Sequence, residues 1–300
     1  MARPLAIGIQ LPEAERRVDW TEYRDMALVA EAVGFDSLWL GDHLLYRTDE
    51  GTTGPWECWS LLAAIAAVTE RVQIGPLVAA TSFHSPAMLA KKAATVDEIA
   101  RGRLILGLGA GWNEAEYRAF GFPFDHRASR FEEAFTIIRT LLREGSIDFE
   151  GDYYSIRDCE LAPRPRPGGP PLMIGSLGPR MLGIALPHVQ MWNAWFAWFG
   201  NGPEGLAKLL ADLDAACVAV GRDPSSIERT VAVMVAMPDA TAERYGSPGR
   251  SEAAPVRAGD LPGLLDTYAG MGISHAQLVV DPITVGSIEA LGDVISTMDR

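Results

Sequence analysis

The stretch that decides the fold runs from Arg71 to Glu114 and reads RVQIGPLVAATSFHSPAMLAKKAATVDEIARGRLILGLGAGWNE. Its first part, Arg71–Val78, is short, apolar and partly β-branched, which is typical of a buried parallel strand. Ser85-Pro86 then predicts the N-cap and the first position of a helix. Arg103–Gly107 predicts a second strand, and a glycine-rich turn follows it. The stretch is therefore one βαβ unit, which brings two strand ends to the same side of a sheet.

The same unit recurs along the whole chain. In the first half, strands are predicted to start near Leu5, Ser37, Arg71 and Arg103, at the spacing of roughly thirty residues that a βα unit needs. Eight such steps predict an α/β fold, a (β/α)8 TIM barrel with a parallel eight-stranded sheet. An open doubly wound sheet is the alternative, but it requires a glycine-rich turn after its first strand, where this chain has Ile9–Pro12. The strands predicted in the second half are Leu172–Gly175, Val189–Ala194, Thr230–Met237 and Ala276–Val280.

We expect a single barrel domain over residues 1–300, with added segments at about 113–170 and 238–260. Within the first segment, Phe149–Leu161 alternates and contains a Gly-Asp turn, which predicts a small excursion outside the main sheet. Within the second, Asp239–Gly259 is polar and aperiodic, which predicts a long loop or a lid.

Composition restricts the partners. A net charge of −13 argues against nucleic acid and against anionic membrane surfaces, and no apolar run reaches the length of a membrane span. The three cysteines, Cys58, Cys159 and Cys217, form no CxxC pair, which favours a reduced, cytoplasmic protein. The remaining expectation is a small-molecule substrate.

The chemistry of a barrel lies at the C-terminal ends of its strands. Those ends carry one histidine with an adjacent acid, many small residues, amides and tryptophans. They lack the acid pair of a glycosidase, a lysine placed for a Schiff base, and the HxH or HExxH spacing of a metal site, so we expect no metal. A flat, uncharged pocket with small walls favours a ring-shaped cofactor over a sugar. The candidate substrate-pocket residues are Gln10, Trp56 and Trp195.

Four blocks of sequence resemble, in the same order, the bacterial luciferase-like oxidoreductases. They are GFDSLWLGDHL (Gly34–Leu44), RVQIGPLV (Arg71–Val78), SPAMLAKKAATVDEIARGRLILGLGAGWNEAEYRAFGFPF (Ser85–Phe124) and PPLMIGSLGPRML (Pro170–Leu182). Within the family, the closer likeness is to the branch that uses the deazaflavin coenzyme F420. The resemblance implies a barrel with the cofactor ring at its mouth, and most often a homodimer.

The resemblance also implies roles for single residues. His43, after Asp42, matches the histidine beside the reactive ring carbon and is the candidate catalytic residue. The bulge after the third strand, often with a non-proline cis peptide, supports the back of the ring, and Leu77, Val78 and Ala79 match it. Asn113 matches an asparagine that contacts the ring, three residues after Ala110. The turn Gly175, Ser176, Leu177 and Gly178 matches the phosphate-binding segment, where free N–H groups before a helix favour a phosphodiester.

Several alternatives stay open at this point. Ala110 stands where glucose-6-phosphate-oxidising relatives have an acid, and Glu57 or Glu114 are candidate replacements. His43 could instead be bonded to Asp42 without contacting a ligand, and His84 is interpreted as a surface-loop histidine. The cofactor could be reduced FMN from a partner reductase, with dioxygen as co-substrate of a monooxygenase. The chain could also bind a cofactor without turnover.

Overall fold

Eight strands of the described residues form a parallel barrel with helices packed around it, which confirms the predicted fold. The computed structural model describes residues 3–49, 51–240 and 253–298. The barrel strands are β1 (Ala6–Gln10), β2 (Ser37–Leu40), β3 (Gln73–Pro76), β4 (Leu106–Gly109), β5 (Leu172–Ile174), β6 (Met191–Ala194), β7 (Glu228–Ala236) and β8 (Ile273–Asp281). The helices are α1 (Trp20–Ala32), α2 (Cys58–Val68), α3 (Pro86–Ile99), α4 (Glu114–Phe120), α5 (Arg127–Glu144), α6 (Pro179–Ala185), α7 (Pro203–Ala219), α8 (Leu261–Gly270) and α9 (Val285–Ser296).

The strand order is β3-β2-β1-β8-β7-β6-β5-β4, and every neighbouring pair is parallel. The barrel closes between β3 and β4 through Ile74, whose N–H donates to Arg103 O at 3.0 Å and whose carbonyl accepts from the Ile105 N–H at 2.8 Å. Beyond a cis peptide bond between Leu77 and Val78, the short strand Ala79–Ala80 pairs with β4 instead of β2. The third strand therefore changes neighbours just below the mouth of the barrel.

Side chains alternate between two cores, as the period of two along a barrel strand requires. One set faces the helices. The other fills the lumen, where Trp39, Leu77, Ile105, Met173 and Met191 form one apolar cluster. The lumen is thus a packed interior, with polar groups above and below this cluster.

Several buried polar groups of the lumen pair with one another. Ser37 Oγ lies 2.7 Å from His275 Nε2 and accepts the indole N–H of Trp39 at 2.7 Å. Nearer the mouth, Asn193 Nδ2 donates to Thr230 Oγ1 at 2.8 Å and to Gln277 Oε1 at 2.7 Å. These bonds fix which residues of β8 face the lumen.

The added segments differ in part from the predictions. A hairpin of Ser146–Glu150 with Ser155–Glu160 forms outside the barrel, as Phe149–Leu161 predicted. A second hairpin, Tyr46–Thr48 with Gly51–Thr53, and helix α4 were missed. Of the predicted loop, residues 241–252 lie outside the described residues, while Val256–Arg257 adds a short strand beside β7.

Two of the predicted strand starts are misplaced by three residues each: β4 begins after Arg103, at Leu106, and β8 begins before Ala276, at Ile273. Helix α1 begins at Trp20, where its N-cap Asp19 accepts the Glu22 N–H at 3.0 Å. Helix α2 begins at Cys58, after its N-cap Glu57. Among the helices described, none is long and apolar enough to cross a membrane.

Candidate active site

His43 lies just beyond the end of β2, between two carboxylates. Its Nδ1 is 3.0 and 3.1 Å from the two carboxylate oxygens of Glu116, and its Nε2 is 3.8 Å from Glu13 Oε1. The rings of Tyr46 and Trp112 lie 4.8 and 5.5 Å from the imidazole, and 20 % of the His43 side chain is exposed. The imidazole is therefore sheltered from water but still reachable from the mouth.

The surroundings raise the pKa of His43. Burial acts in the opposite direction, because it disfavours the charged imidazolium. The carboxylates of Glu13, Glu116 and Asp42 together outweigh that effect. The geometry thus favours an imidazolium that can release a proton and an imidazole that readily takes one.

Glu116 orients this imidazole from helix α4. The side chain is fully buried, and besides His43 it accepts the backbone N–H groups of Leu44 at 2.6 Å and Leu45 at 3.2 Å. Because the carboxylate can only accept at Nδ1, it fixes the proton there and leaves Nε2 for proton exchange. Asn113, the residue before α4, donates its amide to Leu45 O at 3.1 Å and joins the same loop to the helix.

Glu13 reaches the site from the loop after β1. Its carboxylate accepts Nε2 of Gln10 at 3.2 Å and hydrogen-bonds the hydroxyl of Tyr46, whose pKa is raised well above its ordinary value by burial and by the charges of Glu13 and Glu116. A Cβ atom on Gly41 would lie 2.0 Å from Glu13 Oε1. Glycine at the end of β2 is therefore what lets this carboxylate fold in beside His43.

Asp42 contacts His84, and not His43, which the sequence analysis considered as its partner. Its Oδ2 accepts the Ala80 N–H at 2.9 Å and lies 2.8 Å from His84 Nε2. The alternative in which His43 is bonded to Asp42 is wrong, and so is the interpretation of His84 as a surface residue, since its side chain is largely buried. Asp42 joins the end of β2 to the segment that follows β3.

A low wall lies at the mouth of the barrel where β3, β4 and β5 end. Val78 projects over three glycines at the ends of β4 and β5. A Cβ atom added to Gly107 or Gly109 would lie 2.9 Å from a Val78 methyl, and one added to Gly175 would lie 3.1 Å from it. The wall therefore consists of backbone and one branched side chain. The cis peptide is at the position that the resemblance implied, with Leu77 and Ala79 buried on either side of Val78.

The turn after β5 is held by its own side chains and by β6. Ser176 Oγ accepts the Gly178 N–H at 3.3 Å, Trp192 donates its indole N–H to Ser176 O at 3.0 Å, and Leu177 is exposed. Arg180, at the start of α6, donates to Ser129 Oγ in the first turn of α5 at 2.9 Å. Arg127 of α5 donates to Gly111 O at 2.8 Å. Guanidinium groups therefore flank this side of the mouth.

The remaining predicted residues are spread around the mouth. Gln10 is buried at the end of β1, and Trp195 packs against Phe196 and the apolar cluster of the lumen. Trp56 lies exposed further out, where its indole N–H donates to Val18 O at 2.7 Å. Ala110 contributes its carbonyl, which accepts the Tyr117 hydroxyl. The ligand contacts assigned to all these residues stay predictions.

Sequence reasoning missed the two carboxylates that flank His43. Glu57 and Glu114, the replacements suggested for the acid absent at Ala110, do not fill that role: Glu57 caps helix α2, and Glu114 is exposed beside Arg118. Glu13 follows the end of β1, so the expectation that the chemistry of a barrel lies at the C-terminal ends of its strands covers this residue as well. Glu116 sits two residues into a helix that the sequence analysis did not predict, and no strand-end signal marks it.

Comparison with known proteins places the chain in a family. Residues 6–247 match the family described as luciferase-like monooxygenase. The chain belongs to the luciferase-like monooxygenase family. Its members are oxidoreductases or monooxygenases and include F420-dependent enzymes.

Three relatives show the range of the likeness. An F420-dependent glucose-6-phosphate dehydrogenase of Amycolatopsis mediterranei is 33 % identical over 72 % of this chain and 64 % of its own length. The pyrimidine monooxygenase RutA of Cronobacter sakazakii is 36 % identical over 57 % of this chain and 51 % of its own length. The chain thus spans between half and two-thirds of these curated relatives. A solved F420-dependent secondary alcohol dehydrogenase, bound to an F420-acetone adduct, shares the fold with a TM-score of 0.81, 20 % identity and 99 % coverage of both chains.

Proposed function

We propose that this protein is an F420-dependent oxidoreductase that moves a hydride between the deazaflavin and a small organic substrate at the mouth of the barrel. The observation that carries the proposal is the His43 imidazole, oriented by Glu116 and flanked by Glu13 at the C-terminal end of β2. The likeness to F420-dependent relatives supports the choice of cofactor.

The residues at the mouth fit a planar, anionic cofactor. Val78 and the three glycines beneath it form a flat wall for one face of a ring. Because these glycines have no Cβ atoms, the Val78 side chain can lie against the strand ends and leave the mouth open. The turn Gly175–Gly178 and the nearby Arg127 and Arg180 would hold a phosphate. Coenzyme F420, when bound, supplies a ring carbon that accepts or releases a hydride.

The residues of this chain supply the proton chemistry. Oxidation of an alcohol removes a hydride from carbon and a proton from oxygen, and Nε2 of His43 would take that proton as general base. Glu116 holds the ring in position and stabilises the imidazolium that results, and Glu13 adds a second negative charge on the Nε2 side. Reduction of a carbonyl reverses these steps, with His43 as proton donor.

A second candidate is a monooxygenase that uses reduced FMN and dioxygen. The similarity to a pyrimidine monooxygenase, at 36 % identity, favours it. The wall at Val78 suits either tricyclic ring. Dioxygen consumption with reduced FMN, and none with reduced F420, would support this candidate over the first.

The direct test is a titration of the purified protein with oxidised and reduced F420, followed by absorbance and fluorescence. We expect saturation at micromolar concentrations, and a His43→Asn variant that still binds F420 but transfers hydride at least about a hundredfold more slowly. Absence of binding at tens of micromolar, roughly −6 to −7 kcal/mol, would remove F420 as the cofactor.

A further inference from the structure

Two buried oxygen atoms at the ends of adjacent strands have no hydrogen-bond partner among the described residues. They are Oε1 of Gln10, the last residue of β1, and Oδ2 of Asp281, the last residue of β8. The Gln10 and Asp281 residues are 1 % and 6 % exposed. A buried acceptor without a partner costs about 1–3 kcal/mol, so a folded protein keeps such atoms where a ligand or water satisfies them.

Both side chains face the lumen at its mouth. His275 and Gln277 of β8 point inward, where they contact Ser37 and Asn193, and Asp281 has the same phase along the strand. Gln277 is paired in register with Gly8 of β1, so Gln10 lies on the same face, two residues further along. Asp281 is again two residues nearer the mouth than the position opposite Gln10. The two oxygens therefore line one wall, on the side where Glu13 approaches His43.

The orientation of the Gln10 amide is fixed by chemistry. Its nitrogen donates to the Glu13 carboxylate, which can only accept, so the amide oxygen is the atom left facing the lumen. Below it, Gln277 uses its own oxygen to accept from Asn193. The wall thus presents acceptors at the level of Gln10 and Asp281.

The charges around this wall are negative. Glu13 contributes a carboxylate from the loop after β1, and Asp281 contributes one from the end of β8. Arg16 contacts the same rim through the carbonyl of Ile283 at 3.2 Å, but its guanidinium is paired with the carboxylate of Glu22.

We propose that Gln10 Oε1 and Asp281 Oδ2 form a substrate subsite that accepts hydrogen bonds from a hydroxyl or a protonated amine. The inference rests on the proposed function, because it places this donor group next to the carbon that His43 serves. Its consequence is a preference for neutral or cationic polar substrates over substrates that carry an anionic group at the same position. Charge-assisted bonds to Asp281 make the amine the better of the two donors.

Three probes with the same carbon skeleton test this subsite. They are 1-amino-2-propanol, 1,2-propanediol and lactate, which differ only in whether the terminal group is cationic, neutral or anionic. Binding is measured by saturation-transfer NMR and calorimetry, with and without F420 present. The variants are Asp281→Asn, which keeps the shape and removes the charge, Gln10→Met for the second acceptor, and Asp293→Asn, an exposed aspartate on α9, as control.

We expect the amine to bind at least about tenfold more tightly than lactate, with the diol between them. Asp281→Asn should reduce the preference for the amine over the diol by about tenfold, Gln10→Met should weaken both, and Asp293→Asn should change neither. Equal binding of lactate, an unchanged preference in Asp281→Asn, or no binding of any probe up to about 100 mM would overturn the subsite.

The same measurements separate this inference from the proposed function. F420 binding is titrated independently. If F420 does not bind, the proposed cofactor is wrong, but binding of the three probes still tests the subsite at Gln10 and Asp281. Circular dichroism confirms the fold of each variant. If Asp281→Asn does not fold, Gln10→Met decides alone, and unchanged binding of the diol to it would overturn the proposal.

Discussion

Glu116 controls both the position and the charge of His43. It is fully buried, it accepts three donors from consecutive residues, and it contributes to the raised pKa of the imidazole. A group with a raised pKa stays protonated to higher pH, so a base-dependent reaction turns on only as the pH rises through that value.

The first prediction concerns Glu116→Gln. Removing the negative charge lowers the His43 pKa, so the rise in kcat for substrate oxidation should move to lower pH, and kcat should fall about ten- to a hundredfold because the ring loses its orientation. The pH dependence of kcat checks this. Glu114→Gln, two residues earlier on the same helix and exposed, is the control and should match wild type. A profile that does not move in Glu116→Gln would show that Glu116 does not act through His43.

The second prediction concerns Gly41→Ala. The new Cβ atom would lie 2.0 Å from Glu13 Oε1, so the carboxylate must leave its place beside His43. We expect the pKa of His43 to fall, since Glu13 is the largest of the effects that raise it. NMR titration of the imidazole measures the shift, and circular dichroism checks that the fold is kept. An unchanged titration would mean that Glu13 does not act on the imidazole.

At the scale of elements, the low wall over β4 and β5 gives a third prediction. Gly109→Ala would place a Cβ atom 2.9 Å from a Val78 methyl and push that side chain toward the mouth. The affinity for F420 should fall by about tenfold, or roughly 1.4 kcal/mol, with little change in fold. Gly263→Ala, in open space on α8, is the control and should leave binding unchanged while it stabilises the helix by up to about 1 kcal/mol. Equal F420 binding in both variants would argue against this wall as the ring site.

The sequence predicted elements better than contacts. The eight strands follow from the hydrophobic pattern, because a parallel barrel strand is a short apolar run. The starts of α3, α6, α7 and α8 follow from proline in the first turn of each helix. Helix α4 was missed since it is one short helix with charged residues in its first turn. Missing α4 meant missing Glu116, so Asp42, the alternative partner considered for His43, was wrong. Pairings across more than 70 residues carry no local signal.

At the scale of the whole molecule, the buried His275 inside the barrel contributes to the loss of stability in acid. Burial lowers the pKa of His275 from its ordinary value to about 4, so this imidazole is neutral in the folded protein. In the unfolded chain it binds a proton below about pH 6.5. The stability that the neutral His275 contributes is therefore fully present above about pH 6.5 and is lost as the pH falls from 6.5 toward 4.

The fourth prediction follows from that sign. Between pH 6.5 and 4, His275 should remove about 3 kcal/mol from the free energy of unfolding, and His275→Gln should flatten this part of the pH dependence. Urea unfolding at a series of pH values measures it. His43 acts in the opposite sense, because its raised pKa adds stability at low pH that is lost as the pH rises.

Assembly and location belong to the same scale. The resemblance to the family predicts a homodimer, the FMN alternative adds a partner reductase, and the cysteine pattern favours a cytoplasmic setting; all three stay predictions. Sedimentation of the purified protein measures the first directly.

The bonds from Glu116 to Leu44 and Leu45 also divide the loop after β2 into two parts with different freedom to change. The first part is fastened to α4 up to Leu45, while the hairpin that follows begins at Tyr46 and contacts the loop after β1 through Thr53, whose hydroxyl donates to Ala14 O. New substrate specificity could therefore evolve, or be selected in a library, by exchanging hairpin residues after Tyr46. His43, the proposed proton-transfer group, would be inherited unchanged.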